Sequence, residues 1–258
     1  MEFLPLPAAH HYALLVGYGV AVGGWLVVAR LFPTLWPRRD EVSFPSPWRE
    51  VAWACLGVLG VIAIGQLYVR HWLFPTDGRL ASLIEAGNQL LIFSPILAVP
   101  LLRRHEPRTA WLPVDRIWAR LLVGLTLAAL AILAFTLVRQ GSGNWPEVYA
   151  RFYQPKNVGL AVQVLCEDLA IAILFVRFQA AIGLRGTIIL VACLFAAAHI
   201  PSMVATGTSL GELARLVLDA GLGAVVLFIA QRSADVWWLW CVHYAMDMMQ
   251  FYAATTPA

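Results

Sequence analysis

The sequence predicts an all-α protein, a polytopic bundle of about eight membrane-spanning helices. Two observations carry this reading. Of 258 residues, 60% are hydrophobic and only 13% are charged, with a mean hydropathy of +0.73, whereas a soluble domain carries about a quarter charged residues. Apolar runs close to the roughly 20 residues needed to cross a bilayer also recur along the whole chain.

The first run, 11–30, follows "MEFLPLPAAHH", which lacks the basic segment of a cleavable leader, so it is expected to be a retained span. After the polar stretch 31–50 come windows at 51–69 and 81–102. The Arg-rich stretch 103–120 precedes a fourth at 121–138, and 139–156 separates that from a fifth at 157–176. Windows at 186–206, 214–231 and 236–255 complete the set. The connections are too short for a separate soluble unit. One integral membrane domain is expected over 1–258, with N-terminal spans and loops at 1–156 and a motif-bearing half at 157–258.

Net charge is only +3, and the basic residues flank spans, which points to topology rather than to nucleic-acid binding. Loops after the odd-numbered spans hold twelve Lys and Arg, and loops after the even-numbered ones hold six. By the positive-inside rule both termini lie outside the cytoplasm. Cys55, Cys166, Cys193 and Cys241 all fall within predicted spans, unlike a secreted disulfide framework or a closely spaced zinc site.

An ionisable side chain at a span centre costs about 2.5–3.5 kcal/mol on insertion scales, so each is a candidate functional group. Five acids qualify: Glu85, Glu167, Asp168, Asp219 and Asp247. Glu85 and Asp219 lie near span ends, where a structural role is expected. Glu167 and Asp168 sit about ten residues into the fifth window, roughly 15 Å along a helix, too deep to reach interfacial water.

Two histidines share this setting. In "LFAAAHIPSM" Phe195 and His199 are four apart, and in "CVHYAMDMMQF" His243 and Asp247 are four apart, so each pair occupies one helical face. The alanines between Phe195 and His199 permit close approach of another helix. A desolvated carboxylate facing two imidazoles could act as a general base toward water, with an imidazole and a neighbouring carboxyl shaping an oxyanion site.

The order of an acidic pair, F-x-x-x-H and H-x-x-x-(N/D) across late spans resembles the CAAX-protease and bacteriocin-processing (CPBP, or Abi) family of intramembrane proteases. Relatives of that family include the Ras-converting prenyl-protein endopeptidases, and it has a myxosortase-like bacterial branch. The resemblance covers "ED" at Glu167 and Asp168, "FAAAH" from Phe195 to His199 and "HYAMD" from His243 to Asp247, that is, the last hundred or so residues. It implies a glutamate-type endopeptidase in which Glu167 polarises water, His199 helps to hold it, and His243 with Asp247 shapes the oxyanion side. Asp168 and Phe195 would support them.

This chain has Asp168 where the family's second Glu stands, Ala172 where its arginine stands, and Asp247 in place of Asn. Asp168 is therefore expected to meet a donor on another helix or to be protonated. Asp247 is expected to be protonated or to orient His243. No metal is required by this reading; zinc is an option, with Glu167, His199 and His243 as ligands.

The expected substrate is a protein or peptide cut near a membrane-proximal C-terminal region, within the lipid bilayer and without nucleic acid. A multi-pass protein of a bacterial plasma membrane is expected, since Arg far outnumbers Lys as in GC-rich genomes, with the site toward the non-cytoplasmic side. Two rival readings stand beside it. One is a non-catalytic scaffold or bacteriocin-immunity protein on the same fold; the other is a proton-coupled transporter, because intramembrane acids and histidines also form proton relays.

Overall fold

A computed structural model describes residues 8–37, 42–141, 145–198, 200, 203 and 210–253. Among these the protein is all-helical. In chain order the α-helices are α1 (Ala8–Leu31), α2 (Pro47–Val69), α3 (Ala81–Leu102), α4 (Ile117–Gln140), α5 (Trp145–Phe152), α6 (Val158–Ala198), α7 (Leu210–Ser233) and α8 (Val236–Ala253).

Among the described residues six helical segments are long and apolar enough to cross a membrane, which makes this a multi-pass membrane protein. The difference from the eight expected spans has a local cause. Windows five and six fall within one helical stretch, Pro155–Ala198, which breaks at Gly183 (φ 77°, ψ 169°). That conformation is essentially restricted to glycine, so Gly183 turns the chain and lets the two halves of α6 act as separate arms. The eighth window corresponds to α8, whose 18 residues include Asp247 and three tryptophans. A short helix not foreseen in the sequence, α5, occupies the 139–156 connection. It is anchored by Tyr149, whose hydroxyl donates to the Leu125 carbonyl at 3.3 Å, and by Tyr244, whose hydroxyl donates to the Phe152 carbonyl.

Packing proceeds from α1 to α4 to α8, and from α2 to α3 to α6, with α7 against α6; contacts between α6 and α8 join the two groups. Small residues set the closest approaches. A Cβ added at Gly124 of α4 would lie 2.8 Å from the Trp238 Cα of α8. Outward surfaces carry large apolar side chains such as Leu59, Leu122, Ile189 and Val217. In water this would be an aggregating surface, but against hydrocarbon it is the expected exterior.

The 103–116 connection ties the helix ends together through two buried ionic clusters. In one, Arg103 donates to Glu50 at 2.8 Å. Fully buried Arg177 donates to the Thr109 and Ile173 carbonyls and contacts His105 Nδ1 at 3.2 Å. Burial holds the His105 imidazole below its ordinary range, opposed by neighbouring Glu50, which suits an Nδ1 that accepts from Arg177. In the other, Arg120 donates to Asp235 at 2.7 Å, as does the Trp36 indole at the same distance. Both side chains of the Arg120–Asp235 pair are fully buried. The backbone bond from Val236 to the Trp111 carbonyl, 2.8 Å, sets the start of α8 beside them.

Removing one member of such a pair strands the other charge, which typically costs about 3–5 kcal/mol. Asp235→Asn is therefore expected to lower the thermal midpoint of the purified protein far more than Arg120→Met combined with Asp235→Leu. Equal losses in the two proteins would show that the ion pair does not fix the α4–α8 end.

Candidate functional site

The first half of α6 carries the acid pair, Glu167 lying nine residues from Val158, about 14 Å along the axis. Successive helical positions differ by about 100°, so adjacent side chains diverge. Asp168 turns toward α8 and Glu167 toward a neighbouring face. Asp168 is 1% exposed, and its Oδ1 lies 2.9 Å from His243 Nδ1. With the Asp168 carboxylate as acceptor the Nδ1–H is the donor, and Nε2 is the ring nitrogen that faces Asp247. The other Asp168 oxygen, Oδ2, is buried without a hydrogen-bond partner among the described residues.

One turn further along α8, Asp247 Oδ1 stands 3.6 Å from His243 Nε2. Each of Glu167, His243 and Asp247 offers a ligand-type atom, and these atoms all lie within 4.8 Å of one another. The side chains of His243 and Asp247 retain 12% and 20% exposure, so the cluster is recessed yet accessible. Gln163, one turn before Glu167, donates from Nε2 to Glu167 Oε1 at 2.9 Å. From the second half of α6, Phe195 meets the His243 ring edge-on, with centroids 6.0 Å apart. Three helical arms thus converge, and the Gly183 break is what brings the Phe195 arm back to the acid pair.

Five of the six expected site residues are brought together: Glu167, Asp168, Phe195, His243 and Asp247. His199 lies outside the described residues, as does the side chain of Asp219. Asp168 meets a donor on another helix, as expected, and Asp247 also flanks His243, so both acids contact its ring, Asp168 at the shorter distance. Arg177 bonds to the 103–116 connection and to Ile173 rather than to Asp168. It therefore does not restore the ion pair lost at Ala172. Glu85 is engaged structurally, accepting from the Tyr68 hydroxyl at 2.9 and 3.0 Å and from Gln89 at 2.6 Å.

A possible metal-ligand set among the described residues is Glu167, His243 and Asp247, whereas the sequence pointed to His199 as the third ligand. Two carboxylates and one imidazole suit a hard or borderline cation and leave open positions for water. A separate apolar groove of about 600 Å³ lies among α4, α5, α6 and α8, lined in part by Trp118, Phe152, Trp240 and Tyr244. None of its lining residues belongs to the acid–histidine cluster. The Trp240 indole donates to the Ala161 carbonyl at 2.8 Å, closing the α6–α8 seam beside it.

Two contributors were missed in the sequence. Gln163 was readable as a lone amide one turn before Glu167 in an apolar run. Trp240 carried no distinguishing signal among eleven tryptophans. Comparison with protein-family models, with curated proteins and with solved structures finds no match.

The Asp168 contact makes a direct prediction about the histidine. In ¹⁵N spectra of the full-length protein in lipid, His243 should show a hydrogen-bonded Nδ1–H that is lost or strongly shifted by Asp168→Asn. An unchanged His243 spectrum in that variant would contradict the assigned geometry.

Proposed function

We propose that the protein is an intramembrane endopeptidase of the CPBP type, hydrolysing a peptide bond near the membrane-proximal C-terminus of a protein substrate. The single observation that supports it most is the convergence of Glu167, His243 and Asp247 within 4.8 Å, deep in apolar helices. Hydrocarbon tolerates such a cluster only when it is internally paired or lines a polar cavity, and clusters of this kind mark functional sites.

In the proposed reaction Glu167 accepts a proton from water as the water oxygen attacks the scissile carbonyl carbon. Electrons move onto the carbonyl oxygen, and the resulting oxyanion is stabilised by an N–H of His243, whose ring Asp168 holds in place. Collapse of the tetrahedral intermediate breaks the C–N bond, and Glu167 returns its proton to the departing amine nitrogen. The products are a carboxylate and an amine, and no redox partner is consumed. Asp247, as an acid beside Nε2, fits this scheme by keeping His243 in its donating form. His199, four residues beyond Phe195, would complete the water site from the second arm of α6. The loop-charge bias favours a site facing the non-cytoplasmic side, and the excess of Arg over Lys favours a bacterial plasma membrane.

A metal-dependent variant has one observation in its favour, the ligand-type spacing of Glu167, His243 and Asp247. The absence of arginine at Ala172 favours a non-catalytic scaffold instead. Two experiments separate these readings. Protein C-termini are compared by mass spectrometry in cells carrying wild-type, Glu167→Gln or His243→Ala protein at equal abundance. Endopeptidase action predicts loss of one shared set of processed termini in both variants, by about 100-fold or more. Unchanged termini with the cellular phenotype preserved would select the scaffold. Cleavage by purified protein that disappears with a chelator and returns with zinc would select the metal-dependent variant.

A further inference from the structure

Glu85 and Glu167 are both intramembrane glutamates that accept a hydrogen bond from a glutamine one turn away, yet their surroundings differ. At Glu85, Gln89 lies four residues later, and the Tyr68 hydroxyl reaches both carboxylate oxygens, so neither is free. At Glu167, Gln163 lies four residues earlier and donates to Oε1 at 2.9 Å. Among the described residues no hydrogen bond is made to Oε2. The first pattern locks a carboxylate into the helix interface; the second fixes one oxygen and leaves the other available.

Gln163 is also the one side-chain amide in "VGLAVQVLCEDLAIAILFVRF". An amide in an apolar span is unfavourable unless it is hydrogen-bonded, so its place one turn before Glu167 calls for a role. We propose that Gln163 is the positioning residue for Glu167, holding Oε1 so that Oε2 is presented to the cleft shared with His243 and Asp247. The proposal rests on the hydrolytic reading of this site, in which that oxygen takes the proton from water.

The physical basis is preorganisation. A glutamate side chain has three rotatable bonds, and restricting them before substrate arrives removes ordering entropy from the reactive step. Gln163 touches no reacting atom in this scheme; it acts through Glu167.

The test needs no substrate. Dicyclohexylcarbodiimide enters membranes and reacts with protonated carboxyl groups. The carboxyl proton passes to a carbodiimide nitrogen while the oxygen adds to the central carbon, and the adduct rearranges to a stable N-acylurea that peptide mass spectrometry can locate. Full-length wild-type, Gln163→Leu and Gln163→Met proteins in lipid nanodiscs are labelled at neutral pH, and the initial rate at Glu167 is divided by that at Glu85. Loss of the hydrogen bond that holds Oε1 frees the carboxyl to react and should raise this ratio about tenfold in both variants. A ratio unchanged within about twofold would overturn the proposal. General loosening of the fold raises both rates and leaves the ratio near its wild-type value, so it cannot mimic the expected result. A failed search for processed termini would remove the hydrolytic reading, while the labelling ratio would still decide whether Gln163 holds Glu167.

Discussion

The hydrogen bond between Asp168 and His243 is the contact on which the arrangement of the site depends. It joins α6 to α8 at 2.9 Å, between two helices of otherwise apolar character. Each group alone would be costly in hydrocarbon. Paired, they fix the orientation of the histidine ring and the register of the two helices, and Glu167 and Asp247 then follow from their helical positions. Glu167 is adjacent to Asp168, and Asp247 lies one turn beyond His243. The acid–histidine cluster is thus a geometric consequence of one interhelical contact plus helix periodicity.

That contact needs a rigid frame, and the polar clusters joined by the 103–116 connection provide one. Arg120 with Asp235 and Trp36 fixes where α8 begins, while Arg177 fastens α6 to the same connection through Thr109 and His105. With both helices held at one end, little freedom is left for Asp168 to slide past His243. Gly183 supplies the remaining element, because its positive φ reverses the course of α6 and returns Phe195 to the imidazole. Buried charge therefore has two uses in this bundle. At the helix ends it is structural, held by the Arg103–Glu50 and Arg120–Asp235 ion pairs; at the cluster, Asp168 Oδ2 has no hydrogen-bond partner among the described residues.

Much of this was legible in the sequence. The spans were readable because burial in lipid imposes long apolar runs, and the site residues because ionisable groups are rare in such runs and recur at helical spacing. Glu167, Asp168, His243 and Asp247 could be named on those grounds, and Phe195 by its spacing from His199. Pairings between helices were not readable. The sequence offered Asp247 as the group that orients His243, since i,i+4 neighbours share a face, but the shorter contact is made by Asp168, seventy-five residues away in the chain. Arg120 and Arg177 were counted as loop charges that set topology, yet both are fully buried. Nothing in a linear pattern distinguishes an arginine that meets lipid headgroups from one that meets a carboxylate on a distant helix. The short helix α5 was likewise hidden, because it depends on tertiary contacts rather than on composition, whereas the Gly183 break falls in the gap left between the fifth and sixth windows.

The account's central claim is that Glu167 makes water nucleophilic at a peptide bond. The most direct measurement is isotope incorporation by the purified full-length protein in nanodiscs, acting in H₂¹⁸O on a peptide spanning a terminus processed in cells. The account predicts that the new C-terminal carboxylate carries one ¹⁸O atom from solvent, and that Glu167→Gln abolishes its formation. Cleavage that persists at the wild-type rate in Glu167→Gln, or a new terminus without solvent oxygen, would contradict it.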